Sequence, residues 1–410
     1  MLYAGKSHVK AEKRGEENTM RPIVGEFNFT RLESVLYGPG KVAMLGRELA
    51  KRNAKRAVIV TSKTLGRSKL LDKVKDAAPR AIAGVFAETS QHVPSKTVAA
   101  LVAEARRLKA DSFISFGGGT PNDTAKGAAN VMLGGKLPSG LDLYATPAPG
   151  NPSIDFPEIA IPTTLSAGEF TPYAGMTQEE TREKGGVGEP RLQAKAVILD
   201  PEVTLETPAW LWAGSGMRAL DHAVEAAYSN RHTPISDALA ARAIKLLNEN
   251  LKPSLQTTGD DELYHRGQCQ LAAWMSIFGA LNTRFGISHA LGHQIGPTWD
   301  VPHGFTSCIT LPHAMRFMAE ISPERFGPIA EGFGIRFDEN NPRLGAHECA
   351  DRVAQFIHQF EVPSRLRDVE VPRSELSRIA KTVLHEVSRS HTVDREVTLD
   401  DLNRILEAAY

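Results

Sequence analysis

Residues 112–126 read SFISF-GGG-TPNDTAK, a β-branched and aromatic run joined by three glycines to a helix pattern. Few folds accept this join: the C-terminal end of a buried strand must turn at once into a helix. Gly117, Gly118 and Gly119 let the backbone turn tightly and approach a ligand closely. Thr120 reads as the N-cap, Pro121 as the first helical residue, and Asp123 stands three residues past the cap. A helix starting there aims unbonded N–H groups at the turn, which suits a pyrophosphate. The turn is neither G-x-G-x-x-G nor a phosphate loop ending in Gly-Lys-Ser/Thr. A capped strand-to-helix turn with no ligand is the alternative reading.

The surrounding pattern extends the same architecture. Strand runs at Ala57–Thr61, Ala81–Phe86, Ser112–Phe116, Ile159–Ile161 and Ala196–Leu199 alternate with helix patterns over 69–77 and 94–109. In the latter, Val98, Leu101, Val102, Ala105 and Leu108 share one face. Strand–helix alternation predicts an α/β domain with a parallel sheet covered by helices. Gly134–Pro152 is rich in glycine and proline and reads as a loop. After Asp200-Pro201 the patterns become helical throughout: 216–229, 235–250, 264–281, 321–333, 347–360 and 374–387. The expected division is a tail over 1–26, a dinucleotide-binding α/β domain over 27–205 and an all-helical domain over 206–410.

Composition narrows the function. Lys plus Arg and Asp plus Glu both number 48, so no charge excess favours nucleic acid or an anionic membrane. No apolar run approaches eighteen residues, and the charged N-terminus is no secretory signal. Cys269, Cys308 and Cys349 are few and far apart, against a disulfide framework and for a reducing, cytoplasmic setting. The partner expected is a small molecule.

The second half carries the reactive side chains. His222 lies in GMRALDHAVEAAYS, and GISHALGHQIGPTWDVPHG (286–304) holds His289, His293 and His303. His289 and His293 are four apart, on one helix face. Such a set can bind a metal or move protons. His313, His347, His358 and His385 read as structural.

Together these motifs resemble the iron-containing alcohol dehydrogenase family, which includes the maleylacetate reductases. The resemblance rests on YGPGKV (37–42), GGGTPNDTAKG, IPTT (161–164), AVILDPEVTLETP (196–208), GMRALDHAVEAAYS and SHALGHQIGPTWDVPHG, and runs from Leu36 to the C-terminus. It implies a dehydroquinate synthase-like fold with the active site in the cleft between the two domains, NAD or NADP as cofactor, and a homodimer. By the same resemblance, Gly117, Gly118, Gly119 and Thr120 hold the pyrophosphate, Asp123 and Lys126 support it, and Thr163 and Thr164 line the nucleotide site. The family's divalent metal, iron or zinc, is held by one aspartate and three histidines, and the histidines match His222, His289 and His303. His293 matches a histidine beside substrate and nicotinamide. Ser62 replaces a family aspartate after the first strand, and Lys63 follows it, which predicts that NADPH is accepted.

Two departures bear on the chemistry. Arg218 stands where the family has its aspartate ligand, and a guanidinium has no lone pair for a metal. Asp221, next to His222, is expected on another side of the helix. Leu165-Ser166-Ala167-Gly168 is one residue shorter than in metal-dependent members and similar to the maleylacetate reductases. No metal is therefore favoured. Arg218 becomes a candidate to stabilise negative charge or clamp a substrate carboxylate, with His293 or His289 as proton donor. The plain alternative is a structural ion pair of Arg218 with Glu225 or Asp221. The function expected is reduction of a small anionic keto- or enoyl-acid. The alternatives are a metal-dependent alcohol or aldehyde dehydrogenase with a three-histidine site, a lyase like dehydroquinate synthase, and a non-catalytic nucleotide-binding relative.

Overall fold

The computed structural model describes residues 26–138, 145–150, 155–178 and 184–410. The expected tail, apart from Glu26, and residues 139–144 and 151–152 of the 134–152 loop lie outside them.

Apolar strand sequences generate a six-stranded sheet. Its strands are β1 (Ser34–Tyr37), β2 (Ala57–Ser62), β3 (Ile82–Thr89), β4 (Ser112–Gly117), β5 (Glu158–Pro162) and β8 (Ala196–Leu199). Their order is β1-β8-β5-β4-β2-β3, every pair parallel. Parallel strands need covered faces. Helices α1 (Leu45–Lys51) and α2 (Lys69–Asp76) pack on one side through Leu45, Leu49, Leu71 and Val74. On the other side α3 (Ser95–Arg107) and α4 (Gly119–Met132) bury Val98, Leu101, Ala125 and Ala128. A hairpin of β6 (Tyr173–Thr177) and β7 (Lys184–Gly188), unforeseen because its strands are glycine-rich and short, packs against α4.

The chain becomes helical from Ala209: α5 (Ala209–Tyr228), α6 (Pro234–Asn250), α7 (Gly259–Thr283), α8 (Ile287–Trp299), α9 (His303–Ala319), α10 (Gly327–Phe333), α11 (Pro342–Ile357), α12 (Leu376–Ser390) and α13 (Leu399–Ala409). The helix expected over 321–333 begins only at Gly327. Pro323 opens a separate 3₁₀ turn before it.

Helix α5 is the axis of this half. Residues 212–228 are all buried, a pattern expected of a helix enclosed on every side. Its neighbours are α6, α7 and α9. One apolar core spans both halves: Ala160, Leu165, Phe170 and Val197 pack with Trp212, Met217, Leu220 and Val224. Phe170 stacks on Trp274 of α7, ring centroids 5.9 Å apart. The strand ends that carry the glycine turn are thereby set against the helix that carries Arg218 and His222.

Candidate active site

The glycine turn is built as a backbone cradle. Gly117 ends β4 at φ +143°, and a Cβ there would stand 2.8 Å from Pro121 Cγ. Only glycine meets both conditions without strain. Helix α4 starts at Gly119 with Gly118 as N-cap and no side-chain cap. This corrects the expected Thr120 cap: the turn at Gly117 is so tight that the helix begins two residues early. Pro121 still fits in the first turn, where no intrahelical N–H bond is lost. The first amides of α4, with no acceptor inside the helix, face the turn.

Thr163 and Thr164, both buried, wall the turn from the end of β5. The Thr163 amide donates to the Gly117 carbonyl at 2.9 Å, and Thr164 Oγ1 lies 3.0 Å from where a Gly118 Cβ would be. Asp123 and Lys126 bond to the segment that follows β5. Lys126, wholly buried, donates from Nζ to the Gly168 and Thr171 carbonyls at 2.6 and 2.7 Å. Asp123 Oδ2 accepts from the Gly175 amide at 3.1 Å. They fasten the 168–175 segment to α4 and so brace the wall of the cleft. Ser62 Oγ accepts from the Leu65 amide at 3.3 Å, and Lys63 pairs with Glu88 at 3.0 Å on the surface.

The four histidines come together. Rings of His222 and His289 lie 5.0 Å apart, His289 and His293 6.4 Å, and His293 and His303 5.5 Å, the last pair within 7° of parallel. Gly292 permits this: a Cβ there would meet Thr306 Oγ1 at 2.7 Å and His303 Cε1 at 3.4 Å, so α9 can approach α8 only past a glycine. Burial, then the neighbouring His289 and Arg218, hold the His222 imidazole well below its usual range.

Arg218 is buried in the same cluster. Its Nη1 donates to Ser307 Oγ at 3.1 Å and to Asp221 Oδ2 at 3.3 Å. Nε and Nη2 have no hydrogen-bond partner among the described residues. Burial pushes the guanidinium down to about 10, still a cation at neutral pH. The structural ion pair is thus with Asp221, and Glu225 serves elsewhere.

The position expected for Asp221 needs correcting. It does not point away: Oδ2 also accepts from Ser307 Oγ at 2.6 Å and Ser288 Oγ at 3.0 Å, and lies 3.5 Å from His289 Nδ1. Neighbouring residues on α5 differ in direction, but partners surround this helix, so Asp221 and His222 reach the same cluster by different sides. Burial alone would raise the Asp221 carboxyl; His289, Arg218 and the Ser307 bond outweigh it and hold it low.

Two carboxylates have roles here that sequence reasoning did not give: Glu225 was considered only as a partner for Arg218, and Glu386 not at all. Glu225 accepts from the Gly286 and Ser288 amides at 2.6 and 2.8 Å, capping α8 from a neighbouring helix. Its Oε2 stands 2.7 Å from His289 Nδ1, off the line of a good hydrogen bond. Glu225 sits one turn past Asp221, and that spacing was its only sequence signal. Glu386 of α12 lies 2.8 Å from His293 Nδ1. No motif surrounds it.

A divalent ion fits this set poorly. His222 Nδ1 and His289 Nε2 are enclosed and unbonded, as paired ligands would be. Asp221, Glu225 and His289 also offer atoms within 4.8 Å of one another. However, the carboxylates are engaged by Arg218, two serines and two amides. The family's aspartate position holds a fixed cation whose field reaches His222.

A parallel sheet ending in a phosphate-type turn, opposed by a cluster of four histidines on the helical half, is the arrangement of a nucleotide-dependent enzyme. Comparison with known proteins places it more closely. Residues 33–201 match the iron-containing alcohol dehydrogenase model, and residues 212–410 the C-terminal model of the Fe-containing alcohol dehydrogenase family. The chain is 28% identical over 382 residues to lactaldehyde reductase of Escherichia coli, covering 92% of this chain and 98% of that one. It is 29% identical over 378 residues to maleylacetate reductase of Pseudomonas sp. strain P51, covering 92% and 95%. A solved 1,3-propanediol oxidoreductase superposes with a TM-score of 0.84 at 27% identity, over 94% of this chain and all of that one. The chain belongs to the iron-containing alcohol dehydrogenase family. It is an NAD(P)-dependent oxidoreductase acting on CH–OH or C=O groups. Among the described residues no helix is long and apolar enough to cross a membrane.

Proposed function

We propose that this enzyme uses NAD(P)H to reduce a small anionic keto- or enoyl-acid, with Arg218 in place of the family's metal. The observation that carries this reading is the state of Arg218: buried, clamped at Nη1 by Asp221 and Ser307, with Nε and Nη2 left over. Those two nitrogens form the side edge of the guanidinium, which matches a carboxylate bidentately. A fixed cation in an enclosed cleft also stabilises charge developing on oxygen. Hydride passes from the nicotinamide to the substrate carbon, the electron pair moves onto oxygen, and His293 supplies the proton. The glycine turn and the amides of α4 hold the pyrophosphate, with Thr163 and Thr164 beside it.

A metal-dependent alcohol or aldehyde dehydrogenase is the second reading. It is favoured by the unbonded nitrogens of His222 and His289 and the unbonded Asp221 Oδ1. Elemental analysis of chelator-free protein, run beside NADH and NADPH assays on maleylacetate and on simple aldehydes, separates the two. Low metal content with turnover of the acid supports the proposal. One tightly held divalent ion per chain, with activity lost to chelators, overturns it.

A further inference from the structure

We infer that Glu386 is a positioning residue for His293, fixing the tautomer and direction of the imidazole that delivers the proton. The inference rests on the reading of His293 given above. Glu386 belongs to α12, outside every motif of the sequence. Leu376, Ile379, Ala380, Val383 and Val387 of this helix are buried in one core with Ile287, Ala290, Leu291 and Ile295 of α8. Glu386 follows Val383 by three and Ile379 by seven residues, so it borders that buried stripe and faces the helix carrying His293. There its Oε1 lies 2.8 Å from His293 Nδ1. Its charge is also felt by Arg218, so it lies near the same cluster.

Two aromatic rings also flank His293. His303 of α9 stacks on one face and His289 of α8 meets it edge-on. The ring is thus flanked by two imidazoles and paired with the Glu386 carboxylate. With Nδ1–H donated to Glu386, the proton exchanged with substrate is the one on Nε2. In the reductive direction the Nε2–H bond breaks as the new O–H bond forms. Hydride from the reduced nicotinamide makes the C–H bond, and the imidazole is left as its Nδ1–H tautomer, still held by Glu386. Solvent returns the proton. Partners of this kind decide which ring nitrogen carries the proton and how the ring points.

Glu386→Gln and Glu386→Asp test this in the intact enzyme, with circular dichroism as the check on folding. Both residues are partly exposed, so neither variant leaves a buried charge. In Glu386→Gln, kcat is expected to fall about 10-fold, part of the roughly 100-fold or more that general acid catalysis supplies. The KM for substrate is expected to stay within about threefold. ¹⁵N shifts of the His293 ring should move from the Nδ1–H pattern toward a mixture of tautomers. Glu386→Asp should restore part of both. Unchanged tautomer and unchanged kcat in Glu386→Gln would overturn the inference. The NMR arm needs no substrate, so it still decides the matter if wild-type enzyme oxidises NAD(P)H with no acid at all. That result sinks the proposed function alone.

Discussion

Asp221 stands three residues after Arg218 on α5, and its Oδ2 takes the Arg218 Nη1 at 3.3 Å, both side chains buried. A cation stands at the position where the family motif has its aspartate, and its acid partner lies one turn along the same helix. A pair of this kind is held by its partners more than by its own attraction, because desolvation offsets much of the Coulomb gain.

Removing one member of the pair should therefore cost far more than removing both. Asp221→Asn leaves the guanidinium buried without its anion and should destabilise the fold by about 3–5 kcal/mol. Asp221→Leu combined with Arg218→Met should cost much less. Urea unfolding of the single and double variants measures this. Equal costs for the single and the double variant would show that the pair is not coupled.

Kinetics should separate the two roles proposed for Arg218. A charge-assisted hydrogen bond is worth about 1.5–3 kcal/mol, which is about 10- to 150-fold in rate or affinity. Arg218→Ala should lower kcat/KM on a keto-acid by that factor and have a smaller effect on a neutral aldehyde of the same size. Equal losses on both substrates would mean that Arg218 serves the fold and not the substrate.

The sheet and the helical half were legible because their signals are local. β2, β4, β5 and β8 are rich in β-branched and aromatic residues, and the glycine turn announces itself between β4 and α4. The convergence of His289, His293 and His303 was legible from the i, i+4 spacing and the turn at Pro302. What failed depended on tertiary neighbours. Thr120 is a good N-cap by type, but the geometry of Gly117 decided where α4 starts. Asp221 was misplaced because a helix enclosed on all sides has no outward face. Glu386 carries no sequence signal, since its partner lies 93 residues away. Lys126 matches a phosphate-site motif, yet its amine is spent on two carbonyls of the 168–171 segment.

Nucleotide choice is predicted to turn on Lys63 and Glu88. Ser62 offers no charge against a 2′-phosphate, but Lys63 is already paired with Glu88 at 3.0 Å, both side chains well exposed. Exposed pairs are worth at most about 1 kcal/mol, so a phosphate can take Lys63 over. Wild-type enzyme should accept NADPH, and Glu88→Ala should raise its kcat/KM with NADPH a few-fold at low salt while leaving NADH unchanged. An NADPH efficiency a thousandfold below that of NADH would refute this reading of the loop.

Glu158 should make stability depend on pH. It is buried under the glycine turn, accepting from Ser115 and Asn122, with Oε2 unbonded. Burial pushes its carboxyl up to about 7 from 4.5. The folded state therefore prefers the protonated acid. This contribution is fully present below about pH 4.5 and is lost as pH rises from there through about 7, at a cost of roughly 3 kcal/mol. Glu158→Gln keeps the acceptor oxygen and removes the titration. Its Tm should match wild type near pH 4.5 and exceed it at pH 8. A constant difference across that range would show that Glu158 ionises normally in the fold.

Restoring the aspartate is the most direct test of the charge exchange at position 218. Arg218→Asp removes the cation that His222 feels and places a carboxylate one turn before it, while His289 already stands with its ring 5.0 Å from that of His222. It also releases Asp221 from its ion pair, leaving a site with excess negative charge and unbonded imidazole nitrogens. Zinc and iron favour such a mixed carboxylate–imidazole set. The variant, purified without chelator, should carry close to one divalent ion per chain where wild type carries almost none. Added zinc should raise its Tm, because an ion that binds only the folded state stabilises it by mass action. The gain should vanish with EDTA. Activity on the keto-acid should fall with the loss of the guanidinium, whatever the metal restores toward neutral aldehydes. If Arg218→Asp binds no more metal than wild type, the histidines are not arranged as ligands, and the cluster serves proton transfer and packing alone.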